Sequence, residues 1–312
     1  MSAHRSEYVQ RINRVVDYVE AHLLEPLPLE QLASVAHFSP FHFHRVFRAM
    51  IGETPQQFVQ RLRLERAALE LRRRPDQPVT EIALESGFAS PATFARAFRS
   101  AFGVSATQWR AEKERKLGKA LRKEGVVAQE AGAEDDAMKR TDDLAKVTVK
   151  TLPPLRVAYV RNTGPYACDQ ALFAGLVTTI GTWAAARDVF GPDTTLDKAR
   201  GAGGLLCVYH DSPDVTAEER LRISACVAID DEMVVDGVAS DMRLHAGRYA
   251  VAHFRIEMAQ YPEAWPWLIE RWLPDSGYQP DDHPGYERYL NVPEQDPRGK
   301  LEFEICLPVR PL

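Results

Sequence analysis

Cysteine is scarce in this sequence: Cys168, Cys207, Cys226 and Cys306 are the only four in 312 residues, all in the back half and none at metal-type spacing. They are expected to be reduced, small and mostly buried. Histidine offers no metal site either, because His42 and His44 stand two apart on a helical stretch and point away from each other. No metal or other cofactor is expected. Long apolar runs are also missing. Nothing reaches the roughly 18 consecutive apolar residues of a spanning helix, and Met1–Gln10 is polar where a secretory leader would be apolar. The expected location is the cytoplasm.

Strong net charge is absent as well, but the total of −5 hides a division. Residues 1–124 hold 20 Lys and Arg against 14 Asp and Glu, and the remainder holds 19 against 30. The length suggests two domains, each able to bury a full core. A basic front half suits phosphate contacts, and an acidic back half argues against a second nucleic-acid surface.

What the chain does contain is a repeat. The stretch from Leu29 to Arg110 carries Phe38-Ser39-Pro40, Phe43, Arg45, Phe47-Arg48 and Gly52, then Ser90-Pro91, Phe94, Arg96, Phe98-Arg99 and Gly103. From Ser39/Ser90 to Gly52/Gly103 the offset is 51 residues. Each copy opens with a capping serine and a proline at the first helical position. Apolar residues then recur at helical spacing: Phe43, Val46, Phe47 and Met50, and Phe94, Ala97, Phe98 and Ala101. A glycine closes each helix. The arginines remain on the outer face, which predicts two helix-turn-helix units. Between them, Pro55–Arg74 is predicted to be a rigid helix with Phe58, Leu62, Ala68 and Leu69 as its apolar stripe. About 18 helical residues span roughly 27 Å at ~1.5 Å each, enough to set both units on adjacent major-groove segments about 34 Å apart once the motif widths are added.

This run, covering roughly residues 8–112 and including the second motif Gly87, Phe88, Ser90, Phe94, Arg96 and Phe98, resembles the AraC/XylS-type double helix-turn-helix DNA-binding domain. The resemblance implies an all-α bundle over 8–115 that binds double-stranded DNA in two adjacent segments of the major groove. It places the contacts on Phe41, His44, Arg45 and Arg48 of motif one, and on Ala92, Thr93, Arg96 and Arg99 of motif two. Because Pro91 and Ala92 cannot donate side-chain hydrogen bonds, base readout by the second helix is expected to be looser. A charged, alanine- and glycine-bearing linker follows over 116–146.

The back half, 147–312, is duplicated more faintly. Strands are expected at Val147–Thr151, Leu155–Thr163, Leu205–His210 and Ile223–Ile229, with a helix from about Cys168 to Arg187. A second set follows at Met242–Ala246, Arg248–Glu257, Tyr286–Val292 and Leu301–Pro308, with a helix from Glu263 to Leu273. Two β-β-α-β-β units would give an α+β domain: an antiparallel sheet with two helices on one side and the other face free to hold a ligand.

Asn162-Thr163-Gly164-Pro165-Tyr166, Trp265-Pro266-Trp267-Leu268, the Tyr286–Leu290 run and Glu304–Pro308 resemble the GyrI-like effector-binding domain. The resemblance implies an aromatic, acidic cleft for a small hydrophobic or cationic effector. Glu304 is the expected acid, with Tyr166, Trp265, Tyr286 and Tyr289 as aromatic candidates; Glu287 and Glu302 are expected to be solvated or arginine-paired edge charges. A one-component transcription regulator follows, with effector binding altering DNA affinity or contact with RNA polymerase. Two alternatives stand beside it. One is hydrolysis, with Glu304 and Tyr286 orienting a water, since some stand-alone GyrI-like proteins are hydrolases. The other is a module that sequesters a toxin or other ligand. Fusion to a DNA-binding half favours sensing over catalysis.

Overall fold

A computed structural model describes residues 3–111, 145–166, 169–190, 204–291 and 296–312. The expected linker, apart from its last two residues, and Cys168 lie outside the described residues. The chain divides into two compact units. Among the described residues no helix is long and apolar enough to cross a membrane.

The front unit is all helical: α1 (Ala3–Ala21), α2 (Leu29–Val35), α3 (Pro40–Ile51), α4 (Pro55–Arg73), α5 (Val79–Glu85) and α6 (Pro91–Phe102). The repeat dictates matching ends. Ser39 accepts from the His42 amide and Ser90 from that of Thr93, while Gly52 and Gly103 adopt φ of 84° and 74° as C-caps. Phe43 and Phe47 of α3, like Phe94 and Phe98 of α6, are fully buried. Met50 is 39 % exposed and Ala101 is exposed as well; each stands in the last turn of its helix.

The α4 helix is apolar on more than the expected stripe. Phe58, Val59, Leu62, Leu64, Ala67, Ala68 and Leu71 are buried and Leu69 is only half-buried, since both motifs pack on this helix. Its polar residues are tied down. Arg61 reaches Glu53 at 2.6 Å and Glu65 at 3.2 Å. Arg63 donates to the carbonyls of Leu23 at 2.8 Å, Glu25 at 2.7 Å and Gly87 at 2.9 Å, which joins the end of the first helix to the turn of the second motif.

The back unit contains β1 (Ala145–Leu152), β2 (Leu155–Thr163), α7 (Gln170–Ala185), β3 (Leu205–Tyr209), β4 (Arg222–Ala228), β5 (Ser240–Leu244) and β6 (Gly247–Ile256). An irregular helix, α8, follows. It runs as 3₁₀ over Met258–Glu263, α over Ala264–Pro266, π over Trp267–Trp272 and α again over Leu273–Asp275. Pro262, Pro266 and Pro274 each remove a helical donor, which explains the broken ladder. Then come β7 (Tyr278–Pro280), β8 (Gly285–Tyr289) and β9 (Leu301–Pro311). The strand order is β1-β6-β9-β8-β3-β4-β2-β5, with β7 on the edge of β9. Exchanging β1 with β5, β2 with β6, β3 with β8 and β4 with β9 reverses this order onto itself, as a duplicated β-β-α-β-β unit requires. At the centre of the symmetric pair, Cys207 of β3 lies opposite Glu287 of β8.

The sheet's second face is not free, contrary to the expectation from sequence. Pro153-Pro154 and His245-Ala246 are the whole connections from β1 to β2 and from β5 to β6, yet β1 bonds to β6 and β2 to β5. These short links draw the two ends of the sheet together, so that face closes over its own core of Val157, Tyr159, Leu206, Val208, Cys226, Tyr249, Val251 and Cys306. The opposite face carries α7 and α8 through Val177, Ile180, Trp183, Ala264, Leu268 and Leu273.

The turn of motif one uses His37 at φ 54°, where motif two uses Gly87 at φ 81°. His37→Gly removes a left-handed side chain worth ~1–2 kcal/mol, less ~0.5–1 kcal/mol of glycine entropy. Its melting temperature should therefore exceed wild type by a few degrees. Gly87→Ala should fall below it, because a Cβ there meets Arg63 Nε at 2.9 Å. Thermal melts followed by circular dichroism check both signs.

Candidate functional site

Eight outer-face residues of the front unit were singled out from sequence. Arg45, Arg48, Ala92, Thr93, Arg96 and Arg99 are exposed, His44 is half-buried, and Phe41 at the start of α3 is 68 % exposed. The Arg45 guanidinium lies 5.6 Å from the Phe41 ring centre, so the aromatic holds the cation at the head of the helix. Thr93 is bonded to Ser90 at 3.0 Å, and the Arg96 Nε leans on the Ala92 carbonyl at 3.4 Å. The two heads therefore differ. One presents long polar and aromatic side chains, whereas the other presents small ones with arginines behind.

In the back unit the acidic centre is Glu287, on β8 at the middle of the sheet. It is completely buried. Its Oε2 accepts from the hydroxyls of Tyr261 at 2.6 Å, Tyr289 at 2.6 Å and Tyr209 at 3.0 Å, and its Oε1 accepts from Trp265 Nε1 at 2.7 Å. Among the described residues, all four partners are neutral. Burial pushes the carboxyl above the ordinary 4.5, and the hydrogen bonds from the tyrosines and tryptophan oppose that rise. Burial, reinforced by the Glu287 charge, holds Tyr209, Tyr261 and Tyr289 well above the ordinary tyrosine range. Tyr166, whose ring lies 5.9 Å from Tyr209, is pushed up to about 12 mainly by burial.

Each donor is placed by a different element. Tyr209 comes from β3 in the first repeat, Tyr289 from β8, and Tyr261 and Trp265 from α8. The aromatic contacts follow the duplication: Phe173 of α7 packs on Tyr289 at 5.7 Å, and Trp265 of α8 packs on Tyr209 at 5.6 Å. Trp265 lies so close over β8 that a Cβ at Gly285 would meet its ring at 2.7 Å. Only glycine leaves room there.

The structure thus divides the aromatic and acidic residues expected from sequence. Tyr166, Trp265 and Tyr289 gather on the helix-covered face around Glu287. Glu304 and Tyr286 stand on the opposite face. There Glu304 is held by Arg288 and lies 4.0 Å from His253, and Tyr286 packs in the inner core near Tyr249 and Cys306. Glu302 is paired with His253 at 3.0 Å, as an edge charge. Glu287 is not the solvated or arginine-paired charge that was expected; it is the carboxylate at the centre of the aromatic cage. Sequence reasoning also passed over Tyr209, Tyr261 and Phe173. Strand alternation carried a usable signal, because Glu287 and Tyr289 are two apart and must share a face, whereas Tyr286 cannot join them.

Glu287→Gln is expected to flatten the dependence of stability on pH. A carboxyl raised on folding binds its proton more tightly in the native state. Stability is therefore greatest below the ordinary value near 4.5 and falls as pH rises through the folded value. Between pH 4.5 and 8 the wild type should lose more stability from this source than the glutamine variant, by chemical denaturation at each pH. Gly285→Ala should displace Trp265 and cost ~1–3 kcal/mol through overpacking, visible as altered tryptophan emission and a lower midpoint.

Comparison with known proteins accords with this geometry. A GyrI-like small molecule binding domain matches residues 145–310, and a helix-turn-helix domain matches residues 32–112. The probable transcriptional regulator LumQ of Photobacterium leiognathi is 35% identical over 103 residues, 32% of this chain and 41% of its own length. An uncharacterised HTH-type transcriptional regulator of Staphylococcus aureus is 35% identical over 103 residues, covering 33% of this chain and 14% of that one. The chain thus spans less than half the length of these curated relatives. Among solved structures, the DNA-binding domain of the global transcriptional factor AdpA, in complex with a target DNA, is 32% identical with a TM-score of 0.33, covering 34% of this chain and 96% of that one. With more than half its residues matched to one domain model, the chain belongs to the GyrI-like small molecule binding family, joined here to a helix-turn-helix domain of the AraC type.

Proposed function

We propose that the protein is a DNA-binding transcriptional regulator whose back domain senses a small hydrophobic cation. The observation that carries the effector class is Glu287: a carboxylate sealed from water among aromatic rings, with neutral donors and, among the described residues, no counter-charge on it. A buried charge of this kind is costly until a ligand supplies its opposite. Tyrosine and tryptophan faces add ~0.5–2 kcal/mol each for a delocalised cation. On the front domain, α3 and α6 enter adjacent segments of the major groove. Arg45, Arg48, Arg96 and Arg99 contact guanine edges and phosphates, and Phe41 offers an apolar surface to a thymine methyl. The effector changes transcription by binding two states of the protein unequally, which alters DNA affinity or contact with RNA polymerase.

A genome-fragment binding selection tests the DNA half. A single enriched motif should emerge and be lost in the Arg45→Ala/Arg96→Ala double variant. On that operator each lost arginine–guanine pair should cost ~1–3 kcal/mol, and the salt dependence should become shallower by ~0.9 per phosphate contact removed. No enrichment over random fragments would sink the regulator reading. For the effector half, calorimetry with benzyltrimethylammonium separates the two carboxylates. Glu287→Gln should weaken binding at least tenfold, about 1.4 kcal/mol, and Glu304→Gln should leave it unchanged. The opposite pattern would move the site to the other face of the sheet.

A further inference from the structure

Among the described residues, Phe41 is the most exposed large apolar side chain of the front unit, at 68 %. It stands at the second position of α3, after the Ser39 cap and Pro40. His42 meets its ring edge-on at 5.8 Å, and the His42 ring is in turn hydrogen-bonded to Ser39 Oγ at 3.0 Å. The Arg45 guanidinium lies over the Phe41 ring, 5.6 Å from its centre. A ring can cover only the face of a planar guanidinium, so the N–H fork stays open at the edge. The head of α3 thus presents an apolar ring and a donor fork together.

Their spacing fits neighbouring bases. Successive bases on one strand rise ~3.4 Å and are also turned about the axis, and bases two apart are separated by ~6.8 Å of rise. The 5.6 Å between ring and guanidinium falls between these limits. Arginine takes guanine O6 and N7 with two hydrogen bonds, whereas phenylalanine has contact only with the C5-methyl group of a pyrimidine. A ring has no donor or acceptor with which to tell O4 of thymine from the amino group of cytosine. It registers the methyl alone, and 5-methylcytosine carries a methyl at the same carbon. The second motif lacks this pair. Ala92 holds the place of Phe41, and Arg96 Nε leans on the Ala92 carbonyl at 3.4 Å instead of on a ring.

On the proposed placement of α3 in the major groove, on which this reading rests, we infer that α3 recognises a 5-methylpyrimidine beside a guanine and takes 5-methylcytosine in place of thymine. Phe41 sets the preference for the methyl, and Arg45 fixes the adjacent guanine. Methylation of a cytosine at that position turns a poor site into a good one.

The test is a binding selection with the full chain on two random-sequence duplex libraries, one made with cytosine and one with 5-methylcytosine throughout. In the first, thymine should be enriched over cytosine about fourfold at one position, the worth of burying a methyl-sized group. In the second, thymine and 5-methylcytosine should be enriched equally there. Arg45→Ala should erase the neighbouring guanine preference by ~fivefold or more. Phe41→Ser should abolish the thymine preference and leave the α6 half of the motif unchanged, which also shows that the variant is folded; serine is chosen because alanine can itself meet a methyl. A thymine preference that persists in the methylated library, or its absence beside the Arg45-dependent guanine, would overturn methyl reading while leaving DNA recognition in place. So would a preference that Phe41→Ser retains. The two-library comparison needs no variant and stands by itself. Failure of either library to yield a motif would overturn methyl reading and the DNA-binding reading together.

Discussion

A carboxylate removed from water must be solvated by the protein, and the back domain is arranged around that requirement. Glu287 has no exposed surface, and its environment raises rather than lowers its proton affinity. Four uncharged donors make the ionised form tolerable without neutralising it. An arginine at the same distance would hold the charge more firmly, and under the proposed function it would also remove the reason for a cation to enter. Arg288, the next residue along, faces the other way and serves Glu304 instead. The same strand thus keeps one acid paired and another available, through nothing more than side-chain alternation.

The duplicated architecture puts that acid on an axis. Tyr209 and Tyr289 occupy matching ends of β3 and β8, and each meets an aromatic ring from one of the two helices. The symmetry breaks at the central pair, where Cys207 stands across from Glu287. One repeat supplies the carboxylate and three donors, the other a tyrosine and a thiol, and neither could build the cage alone. The irregular α8 follows from the same demand. Its prolines interrupt the helical ladder where Tyr261 and Trp265 have to turn down toward the strand.

Much of this was legible in the sequence, for identifiable reasons. The serine caps, closing glycines and phenylalanine spacing of the front unit are local signals, so α3, α4 and α6 appeared within a residue of their observed bounds. The alternation of Leu301, Phe303, Ile305 and Leu307 marked β9 as a strand with one core face. The sidedness of the sheet was not local. It depends on the two-residue links after Leu152 and Leu244 that close one face over a core, and no window of sequence shows which strands those links bring together. Glu304 therefore looked like the open acid and Glu287 like an edge charge, although the pairing of Glu287 with Tyr289 at a spacing of two was readable. The α4 helix was underestimated for a similar reason, as a helix packed on two sides loses its single stripe.

The carbonyl contacts of Arg63 have a consequence for how the two reading heads act. One guanidinium bridges Leu23, Glu25 and Gly87, so the turn of motif two is fastened to the scaffold that carries motif one. The heads are coupled as one rigid ruler. On the proposed two-segment binding, once the first is seated the second contact is an intramolecular event at high effective concentration. A ruler of fixed pitch cannot average over poorly spaced half-sites. If both heads contact DNA as proposed, an added or deleted base pair between the two segments penalises binding as heavily as the loss of one head, because the Arg63 tie leaves little slack with which to follow the groove.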